Sequence, residues 1–425
     1  MSAPTLNPIA RAVARGPFYY GWAVSASVSL TVLAAMTYAV STFSAFVEPL
    51  SREHGWSRTA ISAAISFGTV GAAAAGPLFG RLTDRYGARW LFTLGTVSMG
   101  LGLLGMANMG SLFAFYVFYA MGRTMMMNFE HLVGPTVVAN WFIARRATAT
   151  ALMLAASRVG LGLWPALAGV LIAVSGWRLA ATVMGIAVLA TAVVPLVLVV
   201  ARRPEDVGMD PDGRSPAGGA PIEPEWSARA ALRTQAFWAL MLAAALGLFA
   251  GGGMGLHRIP FFTERGLSSV WVGPILMGFG AGMAVGGFVA ARLHRHLGPR
   301  TVTGGFMVYG AAVMAVALIT PPNGWAVVYG LADGAVFGGM FTLQPVIYAG
   351  FYGRRSVGTI RGLAHPALML GNAAGALFGG VLYDATGGSY TLVFLTFSVL
   401  LVIAAGLVAL ARHPGASPTP EPAHG

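Results

Sequence analysis

Polar residues along this chain cluster at intervals that leave twelve apolar segments, at about 18–45, 57–80, 90–107, 111–138, 147–173, 177–201, 235–260, 269–292, 301–319, 325–350, 359–382 and 389–411. Most reach about 20 residues, enough for a helix rising ~1.5 Å per residue to cross a hydrocarbon core of about 30 Å. The pattern predicts an all-α membrane protein with twelve transmembrane helices. One long polar stretch breaks the series. Arg202 to Arg233 carries Pro204, Pro211, Pro216, Pro221 and Pro224 among many charges and reads as a partly disordered linker. The expected organisation is a six-helix half over 1–201, a cytoplasmic linker over 202–233, a second six-helix half over 234–413 and a disordered tail over 414–425.

Composition sharpens this. Of 425 residues 56% are hydrophobic and 9% charged, against about 25% charged in a soluble domain. The absence of cysteine excludes disulfides, thiolate metal sites and cysteine nucleophiles. All 26 basic residues are arginine, which excludes a lysine Schiff base and the lysine of a phosphate-binding loop, and so disfavours an ATP-driven pump. The net charge of +12 sits between apolar segments, so topology accounts for it better than a nucleic-acid partner does. With the N-terminus inside, the even-numbered connections hold Arg81, Arg85, Arg89, Arg145, Arg146, the linker arginines, Arg292, Arg295, Arg300, Arg354 and Arg355; the odd ones hold Arg52, Arg58, Arg178, Arg258 and Arg265. The inside excess places both termini in the cytoplasm. Arg11 and Arg15 precede a long apolar segment that no small-residue cleavage site closes, so the first helix is expected to be retained in a cell inner membrane.

An internal repeat sets the architecture. His54 to Arg89 aligns without gaps on Arg265 to Arg300 at an offset of 211, and Gly55, Ser57, Gly71, Gly76, Arg81, Leu82, Gly87 and Arg89 recur as Gly266, Ser268, Gly282, Gly287, Arg292, Leu293, Gly298 and Arg300. At an offset of 210, Tyr119, Pro135 and Arg145 recur as Tyr329, Pro345 and Arg355. The chain is therefore read as two parallel six-helix repeats.

The loop after the second segment, GRLTDRYGAR, resembles the major facilitator superfamily signature G-x-L-x-D-R-x-G-x-R: Gly80, Leu82, Asp84, Arg85, Gly87 and Arg89 all match. The resemblance implies a loop that stabilises one state of an alternating-access cycle. In the second copy Arg295 replaces the aspartate. Shorter patches resemble the bacterial monocarboxylate-transporter branch: Tyr20-Gly21-Trp22, WFIARRATATALMLAAS from Trp141, GWSRTAIS from Gly55 and YDATGGSY from Tyr383. That branch commonly binds its anion through an arginine in the eighth helix, yet Trp271 to Ala291 holds no charge, so the role cannot be carried over.

Candidate chemistry lies in the few charges inside the apolar segments. Arg123 sits roughly 18 Å along a helix from Ser111, where a charge costs on the order of 3 kcal/mol or more and so faces a cavity or a partner. The repeat maps Arg123 onto Asp333 and Tyr119 onto Tyr329. Family resemblance places such helices on a central cavity, so the expectation is an anion held by Arg123 with Tyr119 and Tyr329, and Asp333 as a proton-titrating or gating partner; a structural ion pair between the two is the alternative. Glu130 lies two turns after Arg123 and suits a proton relay or inner gate, or a structural carboxylate. Arg158, in the fifth segment, is a second candidate substrate contact or a partner of Glu130. His257 and Arg258 have no polar counterparts in the first half, where Phe46 and Val47 stand, which suggests outer gating or proton entry at His257, or an interfacial Arg258. The glycine stripes Gly278, Gly282, Gly286 and Gly371, Gly375, Gly379 read as packing faces. No metal cluster or catalytic triad is discernible, so neither an enzyme nor a cofactor is expected. The expected partners are a small organic anion, protons and the lipid bilayer, with no obligate protein partner. A proton-coupled symporter is the leading reading, with an anion exchanger of the oxalate/formate type and a drug-efflux protein as rivals.

Overall fold

The computed structural model describes residues 18–213 and 226–415. Arg11, Arg15, the linker residues 214–225 and the tail beyond residue 415 lie outside the described residues. The chain forms two compact units, Met1–Ser215 and Pro216–Gly425. Every regular element among the described residues is helical.

In the first unit, segment one is α1 (Tyr20–Ala35) and α2 (Val40–His54), joined by a tight turn at Met36–Tyr38. The helix outruns its apolar stretch because Glu48 and Arg52 pair at 2.9 Å one turn apart on its polar end. Segment two is α3 (Arg58–Tyr86) and segment three α4 (Ala88–Ala107). Segment four is divided into α5 (Leu112–Asn128), a π-helical turn at Phe129–Val133 and α6 (Gly134–Trp141). Segments five and six run through α7 (Arg146–Val188), broken at Gly176, a second π turn at Leu189–Val193 and α8 (Val194–Val199). Each π turn precedes a proline, Pro135 or Pro195, which has no amide hydrogen to continue the ladder.

In the second unit a short α9 (Ala228–Leu232) leads into α10 (Gln235–Glu264), α11 (Val272–Leu297), α12 (Pro299–Ala317), α13 (Trp325–Tyr352), α14 (Val357–Ala385) and α15 (Tyr390–Leu410), which are segments seven to twelve. Ten helices among the described residues are long and apolar enough to cross a membrane. Dividing the longest at Gly176 and adding segment four gives twelve crossings.

The two units repeat the same internal packing. Segments two and four, one and five, and three and six pair in the first; eight and ten, seven and eleven, and nine and twelve pair in the second. Glycine makes these approaches close. A Cβ on Gly68 would stand 2.7 Å from Arg123 Cβ, and Gly282 and Gly375 lie directly against the carbonyls of Leu331 and Phe249, so the stripes are packing faces. The repeat extends to the corner after the second segment of each unit, where Gly87 and Gly298 share a left-handed φ of 79° and 78° that a side chain would strain.

The described ends of the linker are ordered against their own units. Asp212 takes the amides of Ile143, Ala144 and Arg145 at 2.9, 2.7 and 3.3 Å. Arg202 donates to the Asp84 carbonyl, and its stem fills the space that a Cβ on Gly87 would occupy.

Candidate functional site

In the first unit the site begins with the break between α1 and α2. Ala39 turns extended (ψ 150°), so the last carbonyl before it cannot continue an intrahelical ladder. The Tyr38 carbonyl accepts from two side chains of α5 instead: Arg123 Nη1 at 3.1 Å and Tyr119 Oη at 3.2 Å. Thr42 Oγ1 satisfies the Met36 carbonyl at 2.9 Å, and Thr37 Oγ1 that of Ala34 at 3.0 Å. Tyr38 is fixed at its other end by donating to the Met99 carbonyl at 2.8 Å, and its ring lies directly against Gly122. Arg123 is 7% exposed, and among the described residues no carboxylate comes within ion-pair distance of it. Irregular backbone at membrane depth is tolerated only where protein or a polar cavity satisfies it; here a guanidinium does so.

The π turn carries Glu130. Gly134 donates its amide to the Phe129 carbonyl, the longer bond that swings Glu130 toward segment five. Arg158 Nη2 reaches Glu130 Oε1 at 2.7 Å, and Ser157 Oγ donates to the same oxygen at 3.1 Å. His131 Nε2 lies 3.7 Å from Oε2. Glu130 and Arg158 thus form a buried pair, the second of the alternatives the sequence left open for Arg158.

In the second unit Asp333 is fully buried, and its carboxylate is ion-paired with Arg258 of α10. The Arg258 guanidinium also lies over the Phe279 ring, 4.1 Å from its centre, so the uncharged eighth segment contributes a π face. Arg258 therefore turns inward to a carboxylate and not to the membrane interface. Tyr329 packs on Phe262 one turn before Asp333. His257 is buried; its Nε2 faces the Ala376 carbonyl at 3.1 Å and its Nδ1 the Tyr390 hydroxyl at 3.4 Å.

The signature loop lies where α3 meets α4. Gly80 and Gly87 are buried, Asp84 is half-buried, and Arg85 and Arg89 lie over Tyr86 and Trp90 with centroid distances of 5.2 and 5.7 Å. Among the described residues no group of three or more histidines and carboxylates could hold a metal.

Three participants were not singled out by the sequence. Tyr38 has no signature, because its role is played by a backbone carbonyl exposed at a break without glycine or proline. Ser157 and Asp212 are equally silent. The Arg258–Asp333 pair was accessible by another route: the one aspartate inside the apolar segments of the second repeat is expected to be neutralised by an arginine of that repeat.

Comparison with known proteins agrees with this architecture. The sequence profile of the Major Facilitator Superfamily matches residues 28–368. The uncharacterized MFS-type transporter YcxA of Bacillus subtilis (strain 168) is 22% identical over 389 residues, covering 87% of this chain and 89% of that protein. Monocarboxylate transporter 6 of Mus musculus is 34% identical over 110 residues, 26% of this chain and 24% of its own length. Among solved structures, the human organic anion transporter MFSD10 (TETRAN) superposes with a TM-score of 0.71 at 17% identity, covering 93% of this chain and all of that one. The proton:xylose symporter XylE gives 0.72 at 14% identity over 92% and 96%. Two six-helix repeats, the signature loop and a profile match over most of its length establish that this chain is a multi-pass membrane transporter of the Major Facilitator Superfamily.

Proposed function

We propose that this transporter carries a small organic anion, a carboxylate, by alternating access coupled to protons, and that Arg123 binds the anionic group. The carrying observation is the setting of Arg123. Its guanidinium is buried, oriented by a carbonyl at a helix break and by Tyr119, and not cancelled by a carboxylate among the described residues. The other two intramembrane arginines of the site each have one, Arg158 in Glu130 and Arg258 in Asp333. A positive charge left over at mid-membrane depth favours an anion and disfavours cationic drugs. The patch matching monocarboxylate transporter 6 supports a carboxylate. Arg158, held by Glu130, and Tyr329, next to Asp333, are secondary substrate contacts in this reading. Glu130, Asp333 and His257 are its titratable groups, and the loop of Gly80, Asp84, Arg85, Gly87 and Arg89 steadies one state of the cycle. The chain operates in a cell inner membrane with both termini cytoplasmic.

The test is a thermal-shift screen of purified protein against mono-, di- and aromatic carboxylates at two pH values, followed by uptake into liposomes. Stabilisation by a carboxylate that disappears in Arg123→Ala supports the reading. A protein stabilised only by cations or neutral sugars contradicts it.

A second reading, anion exchange without protons, is favoured by the ion pairs themselves, because Glu130 and Asp333 each already hold an arginine. Uptake stimulated by internal substrate and indifferent to a pH gradient would select it.

A further inference from the structure

The same ion pairs leave His257 as a buried imidazole that no carboxylate holds among the described residues. Its site is built for an imidazole. Gly379 of α14 lies flat against the ring, and a Cβ there would stand 2.6 Å from Cδ2 and 2.8 Å from Nε2. The repeat places Phe46 at this position in the first unit, so the first unit has nothing equivalent. Nε2 faces a carbonyl, which only accepts, so Nε2 carries the hydrogen. Nδ1 of the neutral ring is then an acceptor, and the Tyr390 hydroxyl at 3.4 Å is its donor.

Tyr390 leads outward. Its ring packs on Tyr383, tilted by 35° with centroids 4.3 Å apart, and the Tyr383 hydroxyl donates to Glu264 Oε1 at 2.9 Å. Glu264, exposed, closes α10, Tyr383 lies near the end of α14 and Tyr390 opens α15, so all three stand at one membrane face of this unit. Under the topology proposed above it is the outer face. Of the charged and titratable groups on the elements packed against the imidazole, Tyr390 on α15 touches it, Glu264 on its own helix and Tyr383 and Asp384 on α14 act on Tyr390, and Arg258 on its own helix is paired with Asp333 of α13, beside Tyr329. Arg258, next to His257 and about 100° around the helix, is locked on Asp333, so the pair stays neutral whichever form the imidazole takes.

Resting on the reading of this protein as a proton-coupled anion transporter, we propose that His257 is its proton-loading residue, charged from the outer face through Tyr390. In the loading step the Tyr390 O–H bond breaks as Nδ1–H forms, and the Tyr390 oxygen regains a proton from hydronium arriving past Glu264 and Tyr383. The imidazolium keeps both N–H groups occupied, Nε2 on the Ala376 carbonyl and Nδ1 on the Tyr390 oxygen.

The test uses the full chain in liposomes with radiolabelled gluconate, a carboxylate whose hydroxyls keep the neutral acid from crossing the bilayer unaided. For one proton per anion, an inward gradient of one pH unit drives about tenfold accumulation. His257→Gln, which keeps an amide donor for Ala376, is expected to lose that accumulation. Tyr390→Phe, which keeps the ring and removes the hydroxyl, is expected to slow the initial rate and leave the plateau. Full accumulation in His257→Gln overturns the assignment, and a wild-type initial rate in Tyr390→Phe overturns the route. Nitrogen NMR of histidine-labelled protein separates this from the transport reading. The imidazole signal missing from His257→Gln should change to the doubly protonated pattern on acidification. If that ring stays neutral, the proposal fails whatever gluconate does; if it titrates and gluconate is not moved, the failure belongs to the carboxylate reading.

Discussion

Three of the arginines inside the apolar segments, Arg123, Arg158 and Arg258, do different work, and their partners decide which. Arg258 and Arg158 are each matched by a carboxylate, and breaking such a pair strands a charge at a cost of about 3–5 kcal/mol, whereas replacing both members by apolar residues of similar size is nearly neutral. Arg258→Ala should therefore lower thermal stability sharply in detergent, and Arg258→Met with Asp333→Leu should recover most of it. Equal loss in the double variant would show that the pair is more than mutual neutralisation. Arg123 donates to a carbonyl and to nothing acidic among the described residues, so its removal should cost no more than a charged hydrogen bond, about 1.5–3 kcal/mol. Its rank as a candidate was legible because an arginine deep in an apolar run is rare. Its anchor was not legible, since any residue type at position 38 supplies the same carbonyl.

At the level of elements, the helices were readable from hydrophobic runs and the interruptions within them were not. The break at Met36–Tyr38 contains no proline or glycine, so nothing local announces it; threonine hydroxyls add bonds to the carbonyls of the turn, and Arg123 with Tyr119 satisfies that of Tyr38 once the helices are packed. The π turn before Gly134 was partly readable, because Pro135 had to disturb the ladder, but the direction in which it turns Glu130 depends on Arg158 of another helix. Gly122 connects the two features by lying against the Tyr38 ring. Gly122→Ala should push α5 away from the break at a cost of about 1–3 kcal/mol, and weaken carboxylate binding although Arg123 itself is intact. Unchanged affinity by thermal shift would mean that the break does not position Arg123.

For the molecule as a whole, the two-unit organisation was legible from the repeat, and the packing within each unit follows it pair by pair. The contacts at the described end of the linker were not legible, because proline and charge content report solvation and not whether a carboxylate finds a cluster of free amides. Asp212→Ala removes three such bonds, and hydrogen exchange at Ile143, Ala144 and Arg145 should accelerate by at least about tenfold, the equivalent of 1.4 kcal/mol. Protection equal to wild type would show that the loop holds itself. The proposed orientation is open to labelling because the chain has no cysteine: an impermeant maleimide applied to whole cells should modify Ser268→Cys and spare Arg355→Cys, and the reverse pattern would invert the topology. The central claim is that Arg123 supplies the charge that binds the transported anion. Its most direct test is the affinity of purified wild-type and Arg123→Gln protein, measured by calorimetry, for the carboxylate that stabilises the wild type best. The account predicts binding in the wild type and a loss of about thirty- to hundredfold in Arg123→Gln, a charge-assisted contact worth about 2–3 kcal/mol. Equal affinity in the two proteins would contradict it.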